Sequence, residues 1–378
     1  MHLILRLRFL VLLILLGAAP PPAFSPNGMV AADHRLGSEA GARMLAEGGN
    51  AVDAAVAAAL AVGVVQPAGS GLGGGGFAVV VLPNGDAEVL DFREVAPKAA
   101  TETMYQEAKN ASASRIGGLA VAVPGESAGL LALHKKWGKL PLETVARPAI
   151  DLARDGFEVG AHLAKALQSL GPEAEGLSLG LFGTNDVPVE GSQVSRQRLA
   201  NTIQAFSKGG KDALRTGPIA DDIVSAVSAA GGILTKKDLA NYKPKVRDPI
   251  VGTYRGWRIV TMPPPSSGGA VLLQVLGALE SADLKAIGPN SAAYYHRLAE
   301  AMKHAYADRA RYMGDPERVN VPLDRLLSKA RILAVQKDFD PERTFDPDHY
   351  GVPVDAGTDG GTQHISVLDS DGLAVALT

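Results

Sequence analysis

The chain has 378 residues, enough for one large domain or two ordinary ones with no need of a stabilising staple. A net charge of −3 with 20 % charged residues leaves no basic footprint for nucleic acid or an anionic membrane surface, and the absence of cysteine removes disulfides, thiolate metal sites and a cysteine nucleophile. Glycine (43) and proline (24) are abundant beside 5 % aromatics, a composition of tight loops around a small-residue core rather than of disorder.

In chain order, Arg6 and Arg8 precede an apolar run at residues 9–16, followed by Gly17-Ala18-Ala19 and a proline cluster. This is the pattern of an export signal over residues 1–25, since the run falls short of the ~20 residues a bilayer span needs, so a periplasmic or extracellular location is expected. From Leu36 the spacing of Leu36, Ala40, Met44 and Leu45 predicts a helix that stops at Gly48-Gly49. Asp53 then caps or opens an Ala/Val-rich helix over 54–65, apolar on every side as a fully buried helix is. The glycine run GSGLGGGGF at 69–77 feeds a strand at 78–82, and Asn84-Gly85 turns the chain into a second strand at 87–92.

Another strand is expected at 118–123 and helices at 127–137, 142–154, 198–206, 219–230, 271–279 and 291–312. The final stretch, HISVLD-SDG-LAVALT, reads as a hairpin whose mostly apolar arms suit a sheet covered on both faces. Solenoid repeats and linker-like compositions are absent, so residues 30–378 are expected to form one continuous unit.

Four segments bear on chemistry. Gly71 to Gly76 satisfies G-x-G-x-x-G, but the order helix, loop, strand is the reverse of a dinucleotide site, so a flexible connection or close backbone packing is the better reading. Gly125-Glu126-Ser127-Ala128-Gly129 fits a G-x-S-x-G nucleophile elbow in its strand-to-helix setting, although a glycine-entered helix start accounts for the same residues and no HGGG-type stretch accompanies it. Thr362, after Asp359-Gly360-Gly361, becomes a self-sufficient nucleophile if the preceding bond is cut, because a free α-amine of pKa ~8 can act as base for its own hydroxyl; an ordinary turn before a strand fits the same residues. Arg93, at the end of an apolar strand, can offer planar bidentate recognition of a carboxylate or simply pair with Glu94. The eight histidines form no H-E-x-x-H or comparable pattern, so neither a metal nor another cofactor is expected.

Several segments in order resemble the γ-glutamyltransferase (γ-glutamyltranspeptidase, glutathione hydrolase) family. They are GGNAVDAAVA at 48–57, SGLGGGGF at 70–77, DFREVAP at 91–97, GGILTKKDLANY at 231–242, MPPPSSGG at 262–269, AYADRARYMGDP at 305–316 and GTQHISVLDSDGLAVALT at 361–378. The resemblance implies an α+β fold, a four-layer αββα sandwich of the N-terminal-nucleophile hydrolase type, in which a zymogen cuts itself before the nucleophilic threonine. Here the matching bond is Gly361-Thr362, which would divide a large-subunit region, 26–361, from the start of a small subunit, 362–378. It also implies that Thr362 attacks the γ-glutamyl amide of glutathione or a similar donor, that the resulting ester passes to water or to an amino acid or peptide acceptor, and that Arg93 binds the donor α-carboxylate. Ser127 then marks only a helix entry.

The family pattern extends well past the position matched by Thr378, with a second threonine, further substrate contacts and a glycine oxyanion hole in the small subunit. An oxyanion donor alone is typically worth ~3–4 kcal/mol of barrier, so the resemblance implies a C-terminally truncated chain that is inactive or poorly folded alone and needs that subunit as a partner. Two alternatives stay open: a truncated secreted pseudoenzyme, and a related acylase acting on glutaryl or cephalosporin side chains.

Overall fold

The computed structural model describes residues 23–210, 212–351 and 362–378. Most of the expected export signal, and Gly361 with it, lie outside the described residues. No helix among the described residues is long and apolar enough to cross a membrane.

The principal sheet has six strands: β1 (Gly28–Ala32), β2 (Phe77–Val81), β3 (Ala87–Asp91), β4 (Lys245–Arg247), β7 (Ile365–Asp369) and β8 (Ala374–Leu377). Its order is β1-β7-β8-β2-β3-β4, antiparallel throughout. The last two strands of the chain are thus inserted between the first two, β7 pairing with β1 (Ala32 opposite Ile365) and β8 with β2 (Leu377 opposite Ala78). Strands β5 (Ile250–Tyr254) and β6 (Trp257–Thr261) form a separate hairpin.

The longer helices are α1 (Arg35–Ala46), α2 (Ala51–Val65), α3 (Glu126–Trp137), α4 (Leu142–Asp155), α5 (Ala161–Gln168), α6 (Glu173–Phe182), α7 (Gln197–Gly209), α8 (Gly217–Ala229), α9 (Gly268–Leu279), α10 (Ala292–Tyr312) and α11 (Lys329–Asp338). Helix α2 is buried on every side, as its composition requires. It lies between β7 and β8 on one side and α1 and α4 on the others, where alanine lets backbones approach closely. Its start lies earlier than expected: Asn50 is the N-cap, accepting from the amides of Val52 and Asp53, while Asp53 sits one turn in and accepts from the Asn50 amide. The Asp53 carboxylate also accepts from the amides of Lys139 (3.1 Å) and Leu140 (3.2 Å), so one buried acid ties α2 to the loop after α3.

Two expectations are corrected, and one hairpin is added to them. Residues 118–123 form a short 3-10 turn at Gly118–Ala120, and only Val123 makes a bridge, to Val95. A Cβ on Gly118 would lie 2.3 Å from the Gly232 amide nitrogen, and the Gly118 amide donates to Ala230, so this segment packs edge-on against another loop instead of pairing along its length. The closing hairpin is covered on one face only among the described residues. Ile365 and Val367 are buried toward α2, whereas Leu368 is half exposed and faces Met29 across the ladder. The hairpin β5–β6 was not foreseen, because its turn uses Arg255 and Gly256, both at positive φ, in place of an Asn-Gly signal.

The apolar core falls into a main cluster around α2, a second beneath α8 containing Val123, Leu234 and Tyr242, and a third joining α9, α10 and α11 through Val275, Leu279, Ala305 and Val335.

Candidate active site

Thr362 is exposed and stands three residues before β7, an interior strand of the sheet, so the ladder on both sides fixes where it emerges. Its neighbour Gln363 is buried and donates from its side-chain amide to the Gln66 side-chain carbonyl at 2.9 Å, pinning the strand entry to the end of α2. On the other flank the His364 amide donates to Asp33 at 2.7 Å, and the His364 Nδ1 lies 2.6 Å from the Thr378 hydroxyl.

A cleft of about 680 Å³ opens beside Thr362. Its floor includes Ile365 and Leu377, and one wall is the glycine segment 69–75. That segment is a fitted surface rather than a slack connection. A Cβ on Gly75 would lie 2.4 Å from the Glu94 amide nitrogen, one on Gly63 2.9 Å from the Gly71 Cα, and one on Gly69 2.8 Å from the Gln363 side chain. The glycines therefore serve close backbone packing, one of the two readings the sequence supports.

Glu126 holds this wall in place. The amides of Gly125 and Glu126 both donate to the Gly74 carbonyl (2.8 and 2.9 Å), and the Glu126 carboxyl accepts from the Gly71 amide at 3.1 Å. Burial pushes the Glu126 carboxyl up to about 7, an effect the Gly71 hydrogen bond only partly opposes. Arg196 is buried at 9 % exposure and lines the same cleft. Its guanidinium donates to the carbonyls of Gly63 (2.8 Å) and Val64 (2.9 Å), capping the end of α2, and burial pulls its pKa down to about 10. Neither residue was singled out from sequence: Glu126 sat in a motif read for its serine, and Arg196 is remote from every segment considered.

Arg93 is placed differently. Its side chain is about half exposed, with its Nε 4.0 Å from Glu94, and it lines a second cleft of about 720 Å³ with Lys243, Arg247, Arg309 and Glu317. Glu94 lines both clefts, so Arg93 and Thr362 belong to adjoining spaces rather than to one. Beneath Arg93, its own carbonyl accepts from the Tyr242 hydroxyl at 2.8 Å, and its amide donates to Asp91 at 3.0 Å. Burial, reinforced by Asp91 and Glu94, keeps that tyrosine protonated well above the usual phenol range. Ser127 is buried in the first turn of α3 and lines neither cleft.

A family model described as gamma-glutamyltranspeptidase matches residues 37–378. The chain belongs to the γ-glutamyltranspeptidase family. A glutathione hydrolase proenzyme of Escherichia coli is 39 % identical over 369 residues, covering 94 % of this chain and 63 % of the relative. Among solved structures, Helicobacter pylori gamma-glutamyltranspeptidase matches with a TM-score of 0.81 and 38 % identity over 90 % of this chain and 100 % of that one. A cephalosporin acylase from Bacillus halodurans matches with a TM-score of 0.78 and 27 % identity over 96 % of this chain and 68 % of that one. This member of the family spans 61–64 % of the length of the first curated relatives it matches.

Proposed function

We propose that this chain carries the large-subunit region of an exported γ-glutamyltransferase and glutathione hydrolase, whose Gly361-Thr362 bond is cut to free Thr362 as the nucleophile. The observation that carries the reading is the position of Thr362, exposed at the entry of an interior strand and opening onto a glycine-walled cleft. Family membership supports the reaction class, and the word proenzyme in the E. coli relative's name supports maturation.

In this reading the freed α-amine, of pKa ~8, takes the hydroxyl proton as Oγ attacks the γ-carbonyl of the donor. The C–N bond breaks, the leaving amine takes the proton, and a γ-glutamyl ester remains on Thr362. Water or the amine of an amino acid or peptide then attacks that ester, returning the proton to the hydroxyl. Arg93 is assigned to the donor's α-carboxylate, which requires the γ-glutamyl chain to reach past Glu94 from one cleft to the other. The half-exposed Leu368 and Met29 on the outer sheet face support a second sheet stacked there, as a four-layer sandwich requires, and a small subunit beginning at Thr362 would supply it.

Mass spectrometry and N-terminal sequencing of the purified protein test the proposal. A new terminus at Thr362, absent from a Thr362→Ala variant, is the expected result; γ-glutamyl anilide cleavage by protein with that bond intact would overturn it.

A second reading, an acylase for glutaryl or cephalosporin side chains, draws support from the likeness to the B. halodurans enzyme. Comparison of γ-glutamyl and glutaryl anilides separates the two, because both present the carboxylate that Arg93 would read but only the γ-glutamyl donor carries the α-amino group that Glu94 would read.

A further inference from the structure

Outside the lining of either cleft, three helical segments bring two imidazoles onto one carboxylate. His304 lies in α10, Asp338 ends α11, and His349 belongs to the single turn Pro347–Tyr350. The Nε2 atoms of His304 and His349 lie 3.0 and 2.5 Å from the same Asp338 Oδ2, and all three candidate donor atoms are within 4.8 Å of one another. None of the three residues lines the cleft of Thr362 or that of Arg93.

We propose that His304, Asp338 and His349 form a binding site for a divalent transition ion of borderline softness, with zinc as the ion of choice. Two neutral imidazoles and one carboxylate, converging from fixed positions, are the donor set such ions select, and water completes a tetrahedron.

The required rearrangement is small. Zinc bonds of ~2.0–2.1 Å place tetrahedral ligand atoms about 3.3–3.4 Å apart, so the two present contacts need to open by roughly an ångström or less, and the two ring nitrogens, within 4.8 Å of each other, to close by at most ~1.5 Å. The rings are held ready by packing: His349 stacks on Phe345 with centroids 4.1 Å apart and 15° between planes, and His304 meets the Tyr350 ring edge-on at 5.0 Å. The neighbouring charges are already committed elsewhere, Arg331 to Asp308 at 2.8 Å and Glu300 to Lys303 at 2.6 Å, with the Tyr350 hydroxyl also on Glu300. An ion here would cross-link α10, α11 and the turn at 347–350, which in sequence leads toward Thr362.

A simple pair of imidazole-to-carboxylate hydrogen bonds explains the same contacts, and metal titration distinguishes the two. The untagged full chain, stripped with chelator and dialysed against Zn²⁺, is expected to retain one equivalent per chain by elemental analysis. Co²⁺ at the same site is expected to give the intense visible absorption of tetrahedral coordination. His349→Ala, at a partly exposed position, and Asp338→Asn are expected to weaken zinc binding at least ~10–100-fold, the loss that even an outer-shell partner can cause, with unchanged circular dichroism. Failure to retain zinc, or retention undiminished in both variants, would overturn the proposal.

Discussion

Glu126→Gln isolates the cost of keeping a carboxyl in the glycine wall. The carboxyl is 5 % exposed and titrates near pH 7 in the folded chain, against 4.5 for the ordinary side chain, with burial as the main cause. Between those two values the unfolded chain has released the proton and the folded chain retains it, so stability falls as pH rises and levels off above the folded pKa. A difference of 2.5 in pKa (7 − 4.5) corresponds to about 3 kcal/mol at full ionisation, an upper figure because buried groups relax. Glutamine is neutral throughout and its carbonyl still accepts from the Gly71 amide. The variant should therefore gain stability relative to the parent by ~1–3 kcal/mol between pH 5 and 8. Urea unfolding of both proteins across that range, followed by circular dichroism, measures the difference. Parallel stability curves would show that Glu126 ionises without penalty and refute the reasoning.

Asp53→Ala should destabilise the fold by about 3 kcal/mol in urea unfolding, since it removes a buried carboxylate that serves the part-buried amides of Asn50, Lys139 and Leu140 at once. Gly129→Ala places a Cβ 2.0 Å from the Phe92 ring, so a loss of ~1–3 kcal/mol or more is expected, together with displacement of the strand end that carries Arg93, read as a weaker donor KM. With the γ-glutamyl reading and the small subunit present, Arg93→Lys should raise KM for γ-glutamyl anilide about 10–100-fold with kcat little changed, the value of one charged hydrogen-bonded contact; equal effects on a donor lacking the α-carboxylate would remove Arg93 from that role. In the enzyme completed by its small subunit, Thr362→Ala should abolish turnover while leaving the cooperative unfolding transition in place, because its side chain is exposed.

What can be read along the chain is what depends on neighbours in sequence. The all-apolar run of α2, the Asn84-Gly85 turn between β2 and β3, and the helix stop at Gly48-Gly49 follow from periodicity and backbone preference, which act over a few residues. The ordered family motifs, from GGNAVDAAVA to GTQHISVLDSDG, likewise pointed to γ-glutamyltranspeptidase membership and singled out Thr362 and Arg93. Tertiary structure alone decided the rest. Insertion of β7 and β8 between β1 and β2 is a long-range pairing with no local signature. The separation of Arg93 and Thr362 into adjoining clefts depends on where Glu94 falls between two walls. The elevated pKa of Glu126 arises from burial, and the meeting of His304, Asp338 and His349 from the packing of three helical segments. Burial and convergence are properties of the folded volume, to which residues far apart in the chain contribute equally, and no window along the sequence contains them.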